Sequence, residues 1–196
     1  MIDERFVILG VLINLCGTLI YLFKTTKGTV QPNRVTWFFW ALAPLIAFFA
    51  ELRQGVGLVA LTTFAVGFGP LCIFVASFFN KKAYWRLSKF DYYCGAFAAL
   101  GLLLWLYTKS GNYAIFFAIL ADIAAAVPTA KKAWFYPESE DYAIFALSLI
   151  NSGIAILTFK EWSFANIAFP IYIFLMCLFF VVLIKFKLGK RIMGKI

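Results

Sequence analysis

From Gln54 to Asn80, and again from Ser163 to Ile184, the chain carries no charged side chain at all. A helix needs about 20 mainly apolar residues, within a range of about 17 to 25, to cross a bilayer. Seven segments have this character: 6–23, 35–50, 56–79, 92–107, 113–130, 142–159 and 163–184. In hydrocarbon the backbone must satisfy its own polar groups, so such runs are expected as helices. The second run is short; Arg34 can complete it by snorkelling at one end and Glu51 by lying at the interface at the other. Composition agrees. Of 196 residues, 64% are hydrophobic and 14% charged, against about 25% charged in an ordinary soluble domain. A soluble domain cannot hide this much apolar surface. The composition excludes a soluble globular domain, a disordered chain and a nucleic-acid module. The expectation is an all-α integral membrane protein with the lipid bilayer as its first partner and no nucleic-acid partner.

Charge sets the orientation. The loops after the first, third and fifth runs, together with the C-terminal tail, hold 14 of the 18 Lys and Arg residues. Arg5, Arg53, Lys109 and Lys160 fall on the other side. The positive side faces the cytoplasm, so seven spans are expected with the N-terminus outside and the C-terminus inside. The location is a multi-pass one, in the cytoplasmic membrane if the source is bacterial. The first run lacks a basic leader and a small-residue cleavage site, so it is expected as a retained helix. The net charge of +9 then lies along one membrane face, where it meets anionic headgroups.

A weak internal repeat runs through the chain. At an offset of 108, Asn14 meets Asp122 and Lys24 meets Lys132. At 105, Pro32 meets Pro137 and Trp37 meets Tyr142, which implies a three-residue change in loop length. The expected organisation is a three-helix repeat over residues 1–80, a basic loop and linker helix over 81–112, and a second three-helix repeat with the basic tail over 113–196. An odd linker gives both halves the same membrane orientation, as in transporters built from parallel repeats.

This 3+1+3 layout resembles the PQ-loop, or SWEET-like, transporter superfamily. Its members carry a Pro-Gln dipeptide where the second helix of each half begins; here Pro32-Asn33 and Pro137-Glu138 stand at those places. The stretch Gln31-Pro32-Asn33-Arg34-Val35-Thr36-Trp37-Phe38-Phe39-Trp40 is also similar to the Trp-x-x-Trp segment of the vitamin-precursor branch, which carries nicotinamide riboside. The resemblance implies alternating access around a central pocket, with prolines as hinges and gates.

Asp122, in the middle of the fifth run, is the one charge deep inside a span. A charge at bilayer centre costs about 2.5–3.5 kcal/mol on the insertion scale, and such residues normally face the bundle interior or a cavity. It is the first candidate for binding solute or a proton. The alternative is a hydrogen bond that only joins helices. Asn14, Asn151 and Asn166 are its candidate partners in a common polar pocket, because unpaired amides are expensive in hydrocarbon. Asn166 can instead sit at the outer interface beside Trp162. Trp37 and Trp40, three residues apart, share a helix face. They read as a stacking platform for a flat solute or as members of the interfacial aromatic belt. Trp85, Trp134 and Trp162 read as belt residues. Pro44 and Pro128 are the best-placed hinges within spans, beside Pro70 and Pro170, and Pro32 and Pro137 mark candidate gates. The acidic loop Glu138-Ser139-Glu140-Asp141 either pairs with Lys131, Lys132 or the tail as an inner gate, or is solvated near a helix N-terminus.

The chain has no His, which removes His-based catalysis and His metal sites. Cys16, Cys72, Cys94 and Cys177 form no C-x-x-C pair and are expected as small buried apolar residues. With one deep acid and no second catalytic partner, an enzyme is not expected, nor is a cofactor or a metal site. No Lys or Arg lies inside a span before Lys185, which counts against a retinal protein and against a receptor with cationic anchors. The expectation is a small-solute transporter for a neutral or aromatic polar solute such as a sugar, nucleoside or vitamin precursor, with proton coupling through Asp122 where coupling exists. The alternative is a receptor or scaffold of the same fold that carries nothing.

Overall fold

Helices Tyr142–Thr158 and Phe164–Lys185 match their apolar runs to within one residue; elsewhere caps and turns move the boundaries. The computed structural model describes residues 2–83, 85–107 and 111–194. Lys109 and Lys195, counted above for orientation, lie outside the described residues. The helices are α1 (Phe6–Lys27), α2 (Arg34–Arg53), α3 (Ala60–Ala76), α4 (Lys89–Tyr107), α5 (Gly111–Phe135), α6 (Tyr142–Thr158), α7 (Phe164–Lys185) and the short α8 (Leu188–Ile192). Single 3₁₀ turns lie at Lys81–Ala83 and Pro137–Ser139, and no strand occurs among the described residues.

α1 continues past Phe23 until Gly28, whose φ of 74° lets its N–H turn back to the carbonyls of Lys24 and Thr25. α2 starts behind Asn33, whose carboxamide oxygen accepts from the N–H of Val35 (3.1 Å) and Thr36 (3.3 Å). Asp141 caps α6 in the same way, accepting from Ala143 at 2.8 Å. α4 begins three residues before the apolar run because Asp91 accepts from the N–H and hydroxyl of Ser88, at 2.5 and 2.6 Å. α3 is shorter than residues 56–79: Gly55, with φ 77°, and a turn precede it, and turn residues follow Ala76. α5 outruns residue 130 because Lys132 is drawn inside the protein.

α1, α2 and α7 are each long and apolar enough to cross a membrane; α3 and α6 are apolar but have 17 residues. The outer surface suits that solvent. Leu12, Leu19, Phe97, Leu175 and Phe179 all face outward, each more than half exposed. Patches of this kind mark lipid or partner contact.

α3 stands between α1 and α2, and α7 between α5 and α6. α1 also packs on α6 and α2 on α5, which closes a six-helix ring, with α4 laid mainly against α5. Exchanging α1 with α5, α2 with α6 and α3 with α7 leaves these main pairings unchanged. The caps Asn33 and Asp141 are 108 residues apart, as are Asn14 and Asp122. α2 and α6 thus start 108 residues apart, whereas α1 and α5 start 105 apart and α3 and α7 104 apart. Small residues allow the close crossings. A Cβ on Gly67 would lie 2.9 Å from Leu45 Cγ and 3.2 Å from the Ala41 carbonyl, and one on Gly10 would lie 2.7 Å from Asn151 Oδ1.

Around the ring α1 and α3 run in one direction, as do α5 and α7, and α2 and α6 run against them. The end with Lys24, Lys132 and Lys185 is called the lysine end; the opposite end holds Glu4, Arg53 and Lys160. Glu51, near the end of α2, is buried, 3% exposed, and accepts from the Thr63 hydroxyl at 3.0 Å. One expectation is corrected here. Cys16 is exposed on α1 and Cys72 is half-buried, so only Cys94 and Cys177 are buried.

Candidate functional site

The ring encloses a cavity of about 40 Å³ lined by, among others, Asn14, Thr18, Trp37, Trp40, Pro70, Asp122, Ser148 and Met176. Four of the six residues expected to bind solute, Asn14, Asp122, Trp37 and Trp40, meet there. α1 and α5 supply Asn14 and Asp122 from pseudo-equivalent positions. The two do not hydrogen-bond to each other. Asn14 Nδ2 donates to Ser148 Oγ at 2.7 Å, and Asp122 Oδ2 accepts from the Tyr172 hydroxyl at 2.6 Å. Each group thus ties its helix to one from the same six-membered ring, α1 to α6 and α5 to α7, and still faces the cavity.

Trp37 and Trp40 are 1% and 5% exposed, so neither belongs to an interfacial belt. Trp40 Nε1 is buried without a hydrogen-bond partner. The Trp40 ring meets Phe145 and Phe180 at centroid distances of 5.9 and 5.5 Å, and those two stack at 4.6 Å. Toward the lysine end, Trp37 meets Tyr21 at 4.7 Å. The Tyr21 hydroxyl donates to Glu140 Oε2 at 2.6 Å. An aromatic column therefore joins the cavity to the acidic loop.

That loop is fully engaged. Lys24 pairs with Asp141 and Lys132 with Glu140, and Lys132 also donates to the Gln31 carbonyl. Both charged groups of the Lys132–Glu140 pair are buried, at 1% and 0% side-chain exposure. Lys190 pairs with Glu138 at 2.8 Å. Partial burial pushes the Glu138 carboxyl up, but the Lys190 hydrogen bond and the nearby charges of Lys190 and Lys187 outweigh it and hold this carboxyl below its ordinary value. Lys24 and Lys132, 108 residues apart, each reach the lead-in of the facing helix, α6 and α2 respectively.

The remaining predicted residues are elsewhere. Asn151 lies outside the cavity lining, one turn beyond Ser148 on α6 and packed against Gly10; it is fully buried and both its amide atoms lack partners. Asn166 lines a separate, wider vestibule of about 400 Å³ at the Glu4 end, with Gln54, Gly57, Thr158 and Lys160, and donates to the Glu161 carbonyl at 3.2 Å. Pro44 lies inside α2 and Pro128 inside α5, where Pro128 borders a groove against α4. Pro32 directly precedes the capping Asn33, and buried Pro137 opens a 3₁₀ turn. Among the expected belt residues, Trp162 is 64% exposed, while Trp85 and Trp134 are half-buried.

Tyr172 and Ser148, which hold the two central polar groups, were not anticipated. A hydroxyl inside an apolar run gives little signal, because it commonly bonds its own helix. Ser152 does so, donating to the Ser148 carbonyl at 2.9 Å. No three His, Cys, Asp or Glu side chains converge as metal ligands among the described residues. Compared with family models, curated proteins and solved structures, the chain matches none of them.

Proposed function

We propose that this protein is a small-solute membrane transporter that works by alternating access. In this reading it crosses the bilayer seven times as 3+1+3, with the lysine end in the cytoplasm. The observation that carries it is the central cavity, where Asn14 and Asp122 face one space from pseudo-equivalent positions on α1 and α5. A buried carboxyl in a span is expensive and usually functional. The exchange-invariant helix pairing supports two repeats that rock against one another.

A water needs roughly 10–15 Å³ of such volume, so about 40 Å³ admits a few waters and no solute. The conformation is therefore read as an occluded one. Its lysine side is closed by the Tyr21–Trp37–Trp40 column and by the Lys24–Asp141 and Lys132–Glu140 pairs. On the other side the unpartnered amide of Asn151 lies between the cavity and the vestibule, where a solute or water passing through would satisfy it. Asp122 is the residue assigned to solute or proton binding, Asn14 to solute binding, and Trp40 to a ring or hydroxyl of the solute through its free indole N–H.

The test is a thermal-shift screen of purified protein against sugars, nucleosides and vitamin precursors, followed by uptake of each hit into proteoliposomes. A hit that is taken up, and is lost in Asp122→Asn, supports the reading. Hits that survive that substitution move the site elsewhere. Binding without uptake favours a receptor, for which the tight cavity would be a permanent feature.

A further inference from the structure

We infer that the groove between the start of α4 and the end of α5 is a binding site for one anionic phospholipid. The inference needs the lysine end to lie in a lipid leaflet and is independent of transport. The groove has a volume of about 220 Å³, and its walls include Trp85, Arg86, Phe90, Lys131, Phe135 and Tyr136. Its floor is aromatic: Trp85 and Tyr136 meet at 5.7 Å, Lys131 Nζ lies 4.3 Å from the Phe90 ring centre, and Lys132 Nζ lies 5.1 Å from that of Trp85.

Charge decides what fits. Lys132 is balanced by Glu140. Asp91, the groove's one acid, accepts from Ser88 and, at 2.6 Å, from Asn33 Nδ2, all neutral donors, so its charge offsets one cation and the groove keeps a net positive charge. Arg86 and Lys131 remain, both exposed and with no ion pair among the described residues. Two unpaired cations above an aromatic floor fit a phosphodiester headgroup. Phe90, Phe135 and Tyr136, 37%, 43% and 53% exposed, continue the groove as an apolar rim suited to the first methylenes of an acyl chain. A diffuse attraction of basic loops to anionic lipid needs no concavity; basic pockets between helices on this side of a membrane do hold headgroups.

The experiment uses the full chain in neutral detergent. Phosphatidylglycerol should raise Tm by about 3 °C or more, whereas phosphatidylcholine with the same acyl chains should not. The rise should fall by at least half in the Arg86→Gln, Lys131→Gln double variant. Equal shifts with both lipids, or a shift retained in the double variant, overturn the proposal. Inorganic phosphate at the same concentration serves as the free-anion arm; if it reproduces the rise, the groove is an anion site and not a lipid site. Should the double variant fail to fold, native mass spectrometry of the parent, given equal amounts of both lipids, decides. One retained phosphatidylglycerol in preference to phosphatidylcholine supports the site, and no preference refutes it.

Discussion

At the lysine end, three ion pairs and a tyrosine join the acidic loop to α1, α5 and α8, and the central pair is fully buried. At the Glu4 end, a wide vestibule is bordered by Gly55 and Gly57, neither with an atom within 4 Å of where a Cβ would stand. The one ion pair there among the described residues, Lys160–Glu4, spans 3.4 Å between groups 70% and 44% exposed. One end of the bundle thus holds a fully buried ion pair; at the other, the buried Glu51 bonds the Thr63 hydroxyl and the ion pair is exposed. Desolvated pairs punish the loss of one partner, while exposed pairs contribute almost nothing. Loss of one ion-pair partner should therefore cost more at the lysine end than at the Glu4 end.

The largest effect should come from Lys132→Ala. It strands the buried Glu140 carboxylate, and we expect a loss of about 3–5 kcal/mol, read as a lower Tm in detergent. Replacing both partners, Lys132→Met with Glu140→Leu, should recover most of that loss; a double variant as unstable as the single one would mean that the pair is not the fastening element. Next comes Tyr172→Phe at the centre, which deprives Asp122 of its donor and should cost about 1–3 kcal/mol. Asn33→Ala removes a helix cap together with the Asp91 contact, and about 1–2 kcal/mol is expected in the same melt. Lys160→Ala, at the other end, should change stability by less than about 0.5 kcal/mol. A loss there comparable to that of Lys132→Ala would abolish the contrast between the ends.

The smallest effect concerns pH. Glu138 has its carboxyl held below the ordinary value, so its contact with Lys190 stabilises the folded chain above the unfolded carboxyl pKa of about 4.3. That contribution fades as pH falls through the lower, folded value. Hydrogen-exchange protection in α8, corrected for the intrinsic rate at each pH, should fall on acidification, and Glu138→Gln should flatten the response.

Much of the site was legible, and what was not has a physical cause. Asp122 and Asn14 were visible because ionisable and amide groups are costly in apolar runs, and their 108-residue spacing put them in equivalent places. Asn151 and Asn166 looked like further members of that pocket, yet a position along a span does not specify which neighbour a side chain turns to. Tyr172 and Ser148 escaped notice since hydroxyls satisfy themselves locally. Trp37 could be read as an interfacial residue from its distance to Arg34; its burial depends on Tyr21, which lies on another helix.

By itself the sequence determined the helical class, the apolar exterior and the gathering of basic residues on one side. These follow from composition and local spacing, which act within single segments. Only the tertiary structure decided that α3 stands between α1 and α2 and α7 between α5 and α6, that Lys132 is buried while Lys160 is not, and that the cavity is nearly closed. Those outcomes depend on pairings between residues 50 to 134 positions apart, and no local pattern encodes which helix will meet which.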